Sequence, residues 1–166
     1  MTNRATGWTR AGFAGALLAV GALGVSAPAE AQRKPPYWAS VSAGQARMRT
    51  GPGRNYPASW LYQRADLPVK VVDVYQSWRK VEDPDGTQGW MLVNLLSDRR
   101  TAMIRGSVLP LRDGPSDDAR VLWRAEPGVV ARVTTCASGW CRIDVRGRAG
   151  YARTSGLWGV DLDEAM

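Results

Sequence analysis

The sequence has no histidine and only two cysteines among its 166 residues. Without histidine, the chain cannot assemble a Ser-His-Asp or a Cys-His catalytic set. Two cysteines alone cannot complete a zinc site, which usually takes four nitrogen or sulfur ligands. We therefore expect a protein that is not an enzyme and that holds neither a cofactor nor a metal ion. The enzymatic alternative, an envelope hydrolase, would need a catalytic constellation outside the repeats described below, and we find no candidate for one.

Acidic residues are missing from the first ten positions, which carry Arg4 and Arg10. An uncharged and largely apolar run follows at residues 11–25, and Ala29-Glu30-Ala31 then provides the small-x-small pattern that signal peptidase cleaves. The run holds 15 residues, whereas a membrane-spanning helix needs roughly 20, which disfavours an uncleaved anchor. We predict a cleavable signal peptide at residues 1–31, no later membrane span, and a periplasmic or secreted mature chain.

Acidic side chains are outnumbered, with 15 Asp and Glu against 22 Lys and Arg and a net charge of +7. Cleavage after Ala31 would remove two Arg and one Glu, so the chain from Gln32 would keep a charge of +6. Outside the cytoplasm the available anionic partners are cell-wall polymers and membrane surfaces, and polyanion binding is one alternative function. The charges are scattered without a dense basic run, which favours a simple role in solubility, and we expect no nucleic-acid partner.

The sequence repeats itself once at an offset of 63 residues, which drifts to 61 toward the end of the repeat. The shared order is an apolar residue with Arg-x-Gly-Pro, then Trp, then Trp-x-x-apolar-acid, then Gly-aromatic. The matched segments are 48–52 with 111–115, Trp60 with Trp123, 78–82 with 140–144, and Gly89-Trp90 with Gly150-Tyr151. We infer two related units at residues 41–100 and 101–160, with a linker at 32–40 and a tail at 161–166.

Each unit is rich in short β-prone stretches separated by glycine, proline and aspartate. In the first unit the predicted strands are residues 46–49, 59–63, 69–75, 78–82 and 89–92. Asp85-Gly86 indicates a hairpin, because such turns need residues that tolerate a positive φ, and Arg146-Gly147 holds the same place in the second unit. The sequence therefore predicts an all-β protein of two tandem, small, five-stranded, partly open barrels.

Several motifs of the first unit resemble a bacterial Src-homology-3 domain. They are Arg49-Thr50-Gly51-Pro52-Gly53-Arg54-Asn55-Tyr56-Pro57, then Trp78-x-x-Val81, and the closing Gly89-Trp90. The second unit keeps Ser138-Gly139-Trp140 but lacks the Asn-Tyr-Pro element and closes with Tyr151. The resemblance covers roughly residues 41–159. It implies Src-homology-3-like barrels and, in many relatives, a role in cell-wall targeting or protein contact.

The two cysteines, Cys136 and Cys141, bracket the residues that the repeat match places in a hairpin between the third and fourth strands. Facing residues of such a hairpin bring their Cβ atoms within about 4.5–5.5 Å, which permits a disulfide after modest adjustment. An exported protein meets an oxidising compartment, so we predict a structural disulfide. A redox role is disfavoured because the spacing is not Cys-x-x-Cys.

The candidate binding residues are aromatic and arginine side chains of the two units: Trp78, Trp140, Arg49, Arg112, Tyr56 and Trp60. Strand alternation places Trp78 and Trp140 on the face opposite Val81 and Ile143, and so outward if the latter two face the core. An outward Trp could be a binding platform, or it could cover the barrel end or the long Gly-Pro loop, which is the favoured interpretation. Arg49 and Arg112 could hold a carboxylate of a peptide or wall stem or could brace the loop, and bracing is favoured.

The sequence thus favours a non-enzymatic binding or scaffolding protein of the cell envelope, with peptidoglycan or an envelope protein as its partner. An accessory subunit or remnant of a cell-wall hydrolase system is a second alternative, beside polyanion binding. The two units are not equivalent, because the first carries the fuller loop at residues 51–57 and the second carries both cysteines. If only one unit binds, we expect it to be the first, with the second as its disulfide-stabilised support.

Overall fold

The computed structural model describes residues 1–2 and 33–163. The described residues form two antiparallel sheets of seven strands, one for each sequence repeat, so the predicted all-β fold is confirmed. From Arg33 onward the chain forms one compact unit. The predicted signal peptide falls on residues 1–31 and lies, beyond its first two residues, outside the described part. Among the described residues, no helix is long and apolar enough to cross a membrane.

The first sheet contains seven strands, which are β1 (Tyr37–Val41), β2 (Ala46–Arg49), β3 (Ala58–Tyr62), β4 (Pro68–Tyr75), β5 (Trp78–Glu82), β6 (Gln88–Leu92) and β7 (Leu96–Ser97). Their spatial order is β3-β2-β6-β5-β4-β1-β7, and the paired strands run antiparallel. The five predicted strands correspond to β2 through β6 and agree with them to within one residue at each end. A 3₁₀ turn at Val93–Leu95 leads from β6 into β7.

Two strands of this sheet, β1 and β7, go beyond the five that the sequence predicts. β1 begins at Tyr37, inside the segment 32–40 expected to be a linker, and pairs with β4 on one side and with β7 on the other. Its last four residues are all buried. A strand covered on both faces lacks the apolar-polar alternation by which sequence inspection recognises strands, and this one is also short.

The second sheet repeats this plan with β8 (Thr101–Ile104), β9 (Leu109–Arg112), β10 (Val121–Ala125), β11 (Val130–Ala137), β12 (Trp140–Val145), β13 (Arg148–Arg153) and β14 (Leu157–Trp158). Its spatial order is β10-β9-β13-β12-β11-β8-β14. This is the order of the first sheet with every strand number raised by seven. The repeat found in the sequence is therefore a repeat of topology.

Each barrel encloses its own core of buried apolar side chains. In the first barrel the fully buried members are Val41, Met48, Val69, Val71, Val81 and Met91. In the second they include Ala102, Ile104, Cys141, Ile143 and Ala152. Val81 and Ile143 therefore face inward in both barrels, as strand alternation predicts.

Close packing explains the glycine that precedes the aromatic residue near the end of each repeat. A Cβ atom on Gly89 would lie 2.5 Å from Cγ of Met48, and one on Gly150 would lie 2.8 Å from Cβ of Leu111. Both contacts are shorter than carbon atoms tolerate. Glycine is required at these positions because β6 and β13 pass directly over a core side chain.

The two barrels share a packed boundary. The rings of Trp38 in β1 and Trp158 in β14 meet edge to face, with centroids 5.0 Å apart. Beside them the hydroxyl oxygens of Ser40 and Thr101 lie 2.6 Å apart, and the Thr101 hydroxyl is 2.8 Å from the carbonyl of Asp66, to which it donates. Ser40 and Thr101 are both buried, so polar and aromatic contacts together fix one barrel against the other.

Candidate functional site

A groove of about 320 Å³ opens on the surface of the first barrel. Its walls come from β2, β3, β5, β6, the long loop between β2 and β3, the residue before β2 and the 3₁₀ turn after β6. The lining residues are Gln45, Arg47, Arg49, Arg54, Leu61, Trp78, Leu92 and Leu95. Three arginines therefore face one tryptophan and three leucines, and none of the described residues that line the groove is acidic.

Strand alternation places the two arginines of β2 in the groove. Met48 between them is fully buried, so Arg47 and Arg49 project from the opposite face. The guanidinium of Arg49 donates a 2.7 Å hydrogen bond to the carbonyl of Tyr56 at the far end of the loop. Arg49 thus braces the loop that carries Arg54, while it still borders the groove.

The second barrel uses its recurring arginine in the same way. The Arg112 guanidinium donates a 2.6 Å hydrogen bond to the carbonyl of Ala119, which stands at the position of Tyr56 in the repeat. The backbone N–H of Asp113 also reaches the carbonyl of Arg120 at 3.0 Å, which closes the base of the loop. Loop bracing, the favoured interpretation of these two arginines, therefore occurs in both barrels.

Trp78 and Trp140 lie off the central cores, as alternation predicts, but they are not exposed platforms. Trp78 is 8% exposed and Trp140 is 6% exposed. This burial contradicts the platform interpretation and agrees with the covering role. Alternation predicts the face on which a side chain lies, but it does not predict what covers that face. Each ring nevertheless lines the groove of its own barrel.

The other two candidates, Tyr56 and Trp60, are exposed and lie outside the groove lining. Tyr56 is 43% exposed and packs over Gly51, where an added Cβ would lie 2.4 Å from its ring. Trp60 is 58% exposed, and its ring centroid is 6.5 Å from that of Tyr62. Its neighbour Leu61 points the other way, into the groove.

Of the eight residues that line the groove, the sequence predicts Arg49 and Trp78 and misses the other six, which are Gln45, Arg47, Arg54, Leu61, Leu92 and Leu95. A signal exists for Arg47, because it lies two positions before Arg49 on the same strand face. No local pattern marks the others, since they come from two loops, two separate strands and the 3₁₀ turn.

A groove of about 400 Å³ occupies the equivalent place on the second barrel and includes Arg112, Asp117, Trp140 and Arg153 in its lining. The guanidinium carbon of Arg153 lies 4.4 Å from the ring centroid of Trp140. The same guanidinium binds the carboxylate of Asp117, with Nε 3.3 Å from one oxygen. This hydrogen bond lowers the pKa of the Asp117 carboxyl below its usual range and raises the pKa of Arg153.

The predicted disulfide between Cys136 and Cys141 is present. The two residues face each other directly across β11 and β12, with Cα atoms 4.1 Å apart, and both are buried. Ser138 and Gly139 make the turn between these strands with φ values of 51° and 77°. The first barrel has Val74 and Arg79 at the corresponding pair, so only the second barrel is cross-linked.

A third cavity, of about 540 Å³, has a mixed lining drawn from both barrels. Its charged residues are Arg64, Asp66, Arg99, Arg132, Asp144 and Arg146. Arg99 and Asp66 pair with each other at 2.8 Å, and Asp144 adds a second negative charge. With four arginines and two aspartates, the described lining of this cleft keeps a net positive charge.

The topology and the two grooves define a tandem pair of small β barrels of the Src-homology-3 type. The chain belongs to the Bacterial SH3 domain family, whose pattern matches residues 42–98 and again residues 106–159. These matches lie within the two units, 41–100 and 101–160, inferred from the internal repeat.

No curated protein sequence matches the chain. Solved structures similar to it include NlpC2 and NlpC1 from Trichomonas vaginalis, with 14% and 13% identity and a TM-score of 0.35 each. An NlpC/P60 family protein from Bacillus cereus has 14% identity and a TM-score of 0.33. The three matches cover 76%, 76% and 73% of this chain, and 49%, 46% and 55% of the respective solved chains. The chain thus spans about half the length of these proteins.

Proposed function

We propose that this chain is a non-enzymatic, exported protein of the cell envelope that contacts peptidoglycan or an envelope protein through the groove of its first barrel. The single observation that carries the proposal is the composition of that groove. Three arginines and three leucines line it together with Trp78, and none of its described lining residues is acidic. Binding sites in proteins combine apolar walls with a few polar groups that orient the ligand, and this groove has both.

The exposed members of the groove make it accessible to a macromolecule. Leu61 is 42% exposed, and Arg47 and Arg54 are exposed as well. Four strands contribute to the groove, and Arg49 braces the long loop that carries Arg54. A braced site loses little conformational freedom on binding, which favours affinity.

A sedimentation assay with insoluble peptidoglycan tests the wall-binding branch. The chain from Gln32 onward should sediment with the polymer above the level of an unrelated protein of similar charge. Leu61→Asp should abolish retention, because it places a negative charge in the groove. Leu122→Asp, at a 37% exposed leucine of the second barrel outside both grooves, should leave retention unchanged. Absence of retention of the unmodified protein rejects this branch.

Site-specific photo-crosslinking in living cells tests the alternative partner, an envelope protein. A photoreactive residue at position 61 should give an adduct of defined mass that the same residue at position 122 does not give. If neither position gives a defined adduct and peptidoglycan is not retained, the groove is not a contact site and the proposed function fails.

The expected export has its own test. Intact mass measurement of the protein recovered from the envelope fraction or the medium should give a chain that begins at Gln32. A chain that retains Met1 and sediments with the membrane would contradict cleavage and would indicate a membrane anchor.

A further inference from the structure

The grooves of the two barrels carry different charges at positions that the topology makes equivalent. Trp78 pairs across β5 and β6 with Leu92, and Trp140 pairs across β12 and β13 with Arg153. In the long loops, Arg54 stands three residues after Gly51, and Asp117 stands three residues after Gly114. The first barrel therefore has Arg and Leu where the second has Asp and Arg.

In the second barrel this difference gives the arginine beside the tryptophan a carboxylate partner from the barrel itself. Two further arginines line the groove: Arg112 braces the loop, and Arg105 lies over the ring of Trp158. Arg153 lies over Trp140 and binds Asp117, so a guanidinium and a carboxylate from the barrel itself meet above the aromatic ring. Arginine and carboxylate form strong, planar, charge-assisted hydrogen bonds. The groove of the second barrel already holds the kind of contact that a carboxylate ligand would make.

The lining of the first groove includes no carboxylate that could pair with its arginines, as Asp117 does in the second. Leu92 cannot pair with a charge, and the loop offers Arg54 in place of a carboxylate. Among residues 33–163, the side chains of Arg47 and Arg54 have no hydrogen bond and no ion pair, and no acidic residue lines the groove with them. Like charges gathered without a counter-charge repel one another, and a bound anion relieves that repulsion.

We propose that the groove of the first barrel binds the carboxylate of a short peptide. In the equivalent groove of the second barrel, which still has a volume of about 400 Å³, Asp117 pairs with Arg153 in place of such a ligand and in this sense closes the groove to a carboxylate. The ligand carboxylate meets Arg47 and Arg54, in the place that Asp117 holds in the second barrel, and an apolar side chain of the peptide lies against Leu61 and Leu92. This inference rests on the proposed function and names the ligand class of the same groove.

The apolar half of the lining favours a peptide over a bare anion. Leu61, Leu92 and Leu95 would gain nothing from an inorganic phosphate or sulfate, whereas an alanine or larger side chain removes their surface from water. Peptide carboxylates occur both in the stem peptides of the cell wall and at the C-termini of proteins. The two sources share the same chemistry at the arginines and differ in the chirality of the terminal residues.

Peptide titration followed by NMR tests the proposal, because each groove contains its own tryptophan reporter. N-acetyl-D-Ala-D-Ala and N-acetyl-L-Ala-L-Ala, each as the free acid and as the C-terminal amide, are titrated into the chain from Gln32 onward. The acids should shift the indole N–H signal of Trp78 and leave that of Trp140 in place. The amides should bind at least about tenfold more weakly, because they lack the charge-assisted contact. Tighter binding of the D or the L acid identifies the source.

An exchange of the differing residues between the two grooves tests whether the Asp117–Arg153 pair keeps a ligand out of the second groove. Arg54→Asp with Leu92→Arg should close the first groove and abolish the Trp78 shift. Asp117→Arg with Arg153→Leu should open the second, so that Trp140 also shifts and the stoichiometry rises from one to two. The exchanged residues are exposed or half-buried, and an unchanged far-ultraviolet circular dichroism spectrum shows that each variant is folded.

Three results would overturn the inference. Equal affinity for acid and amide, or no Trp78 shift with any peptide, removes the carboxylate site. An unchanged stoichiometry in the Asp117→Arg, Arg153→Leu variant would show that the Asp117–Arg153 pair is not what keeps the ligand out of the second groove. If peptides fail while peptidoglycan still retains the protein in a Leu61-dependent manner, the proposed function stands and only the ligand class is wrong.

Discussion

The indole rings of Trp38 and Trp158 pack edge to face across the boundary of the two barrels, with an interplanar angle of 84°. Trp38 comes from the first strand of the first barrel and Trp158 from the last strand of the second. Each ring also has a cation beside its face, Lys70 at 5.2 Å and Arg105 at 5.0 Å from the respective centroids. Packed aromatic and cationic side chains from both barrels therefore form this boundary.

Removal of Trp38 should destabilise the protein strongly. Trp38→Ala is expected to lower the free energy of unfolding by about 3–5 kcal/mol, as large-to-small substitutions of buried aromatic residues do. A double-mutant cycle with Trp158→Ala should give a coupling energy of about 0.5–1.5 kcal/mol, the usual value for a favourable aromatic pair. Urea denaturation measures both quantities. Trp60→Ala, at a 58% exposed ring, is the control and should cost little. Additive effects of the two boundary substitutions would mean that the rings do not interact.

Reduction of the disulfide should lower stability by about 2 kcal/mol. The bond between Cys136 and Cys141 closes a short loop, with a sequence separation of 5, and the chain-entropy estimate for so small a loop is about 2 kcal/mol. Urea denaturation with and without dithiothreitol gives the difference. The variant Cys136→Ala, Cys141→Ala should not respond to the reductant. A response of that variant would show that the reductant acts elsewhere.

Stability should fall at alkaline pH because of Tyr62. Its hydroxyl donates a 2.7 Å hydrogen bond to Asp83, a buried carboxylate that also accepts the backbone N–H groups of Asp85 and Thr87. Burial, and then this hydrogen bond, raise the pKa of Tyr62 well above its usual range. Since the pKa is higher in the folded than in the unfolded chain, the contribution of Tyr62 is complete below pH about 10 and is lost as the pH rises further.

Tyr62→Phe tests this dependence. The variant should be less stable at neutral pH, since Asp83 loses a donor, and its stability should decline less steeply than that of the unmodified protein above pH about 10. Tyr75→Phe, the same chemical change at a 51% exposed side chain, is the matched control. Equal alkaline slopes for Tyr62→Phe and the unmodified protein would contradict the assignment.

Gly159→Ala should be more damaging than Gly128→Ala, because Gly128 is an open glycine that also has a positive φ. Gly159 has φ of +113°, and an added Cβ would lie 2.3 Å from the carbonyl oxygen of Thr101 and 2.9 Å from Cβ of Pro68. Gly128 also has a positive φ, +81°, but nothing lies within 4 Å of its Cβ position. Gly128→Ala should cost about 1–2 kcal/mol from backbone strain alone. Gly159→Ala should add about 1–3 kcal/mol of overpacking. Equal melting temperatures for the two variants would refute the steric account.

Much of the fold follows from short-range patterns in the sequence. Strands β2 through β6, the inward direction of Val81 and the Cys136–Cys141 pair are all predicted from alternation, turn residues and the internal repeat. These features depend on residues within a few positions of one another, or on a second copy of the same pattern. β1 escapes detection because both of its faces are covered, one by its own barrel and the other at the boundary with the second.

The order of residues along the chain determines which segments become strands, which side chains share a strand face, and where the cysteines meet, because these are consequences of backbone geometry over short distances. It does not determine that Trp78 is buried, that Arg54 and Leu92 border the same groove, or that Arg153 covers Trp140. Those facts depend on elements far apart in sequence that come together only when each barrel closes. The tertiary structure therefore decided that an arginine–carboxylate pair lies beside Trp140, whereas no described acidic residue lines the groove that contains Trp78.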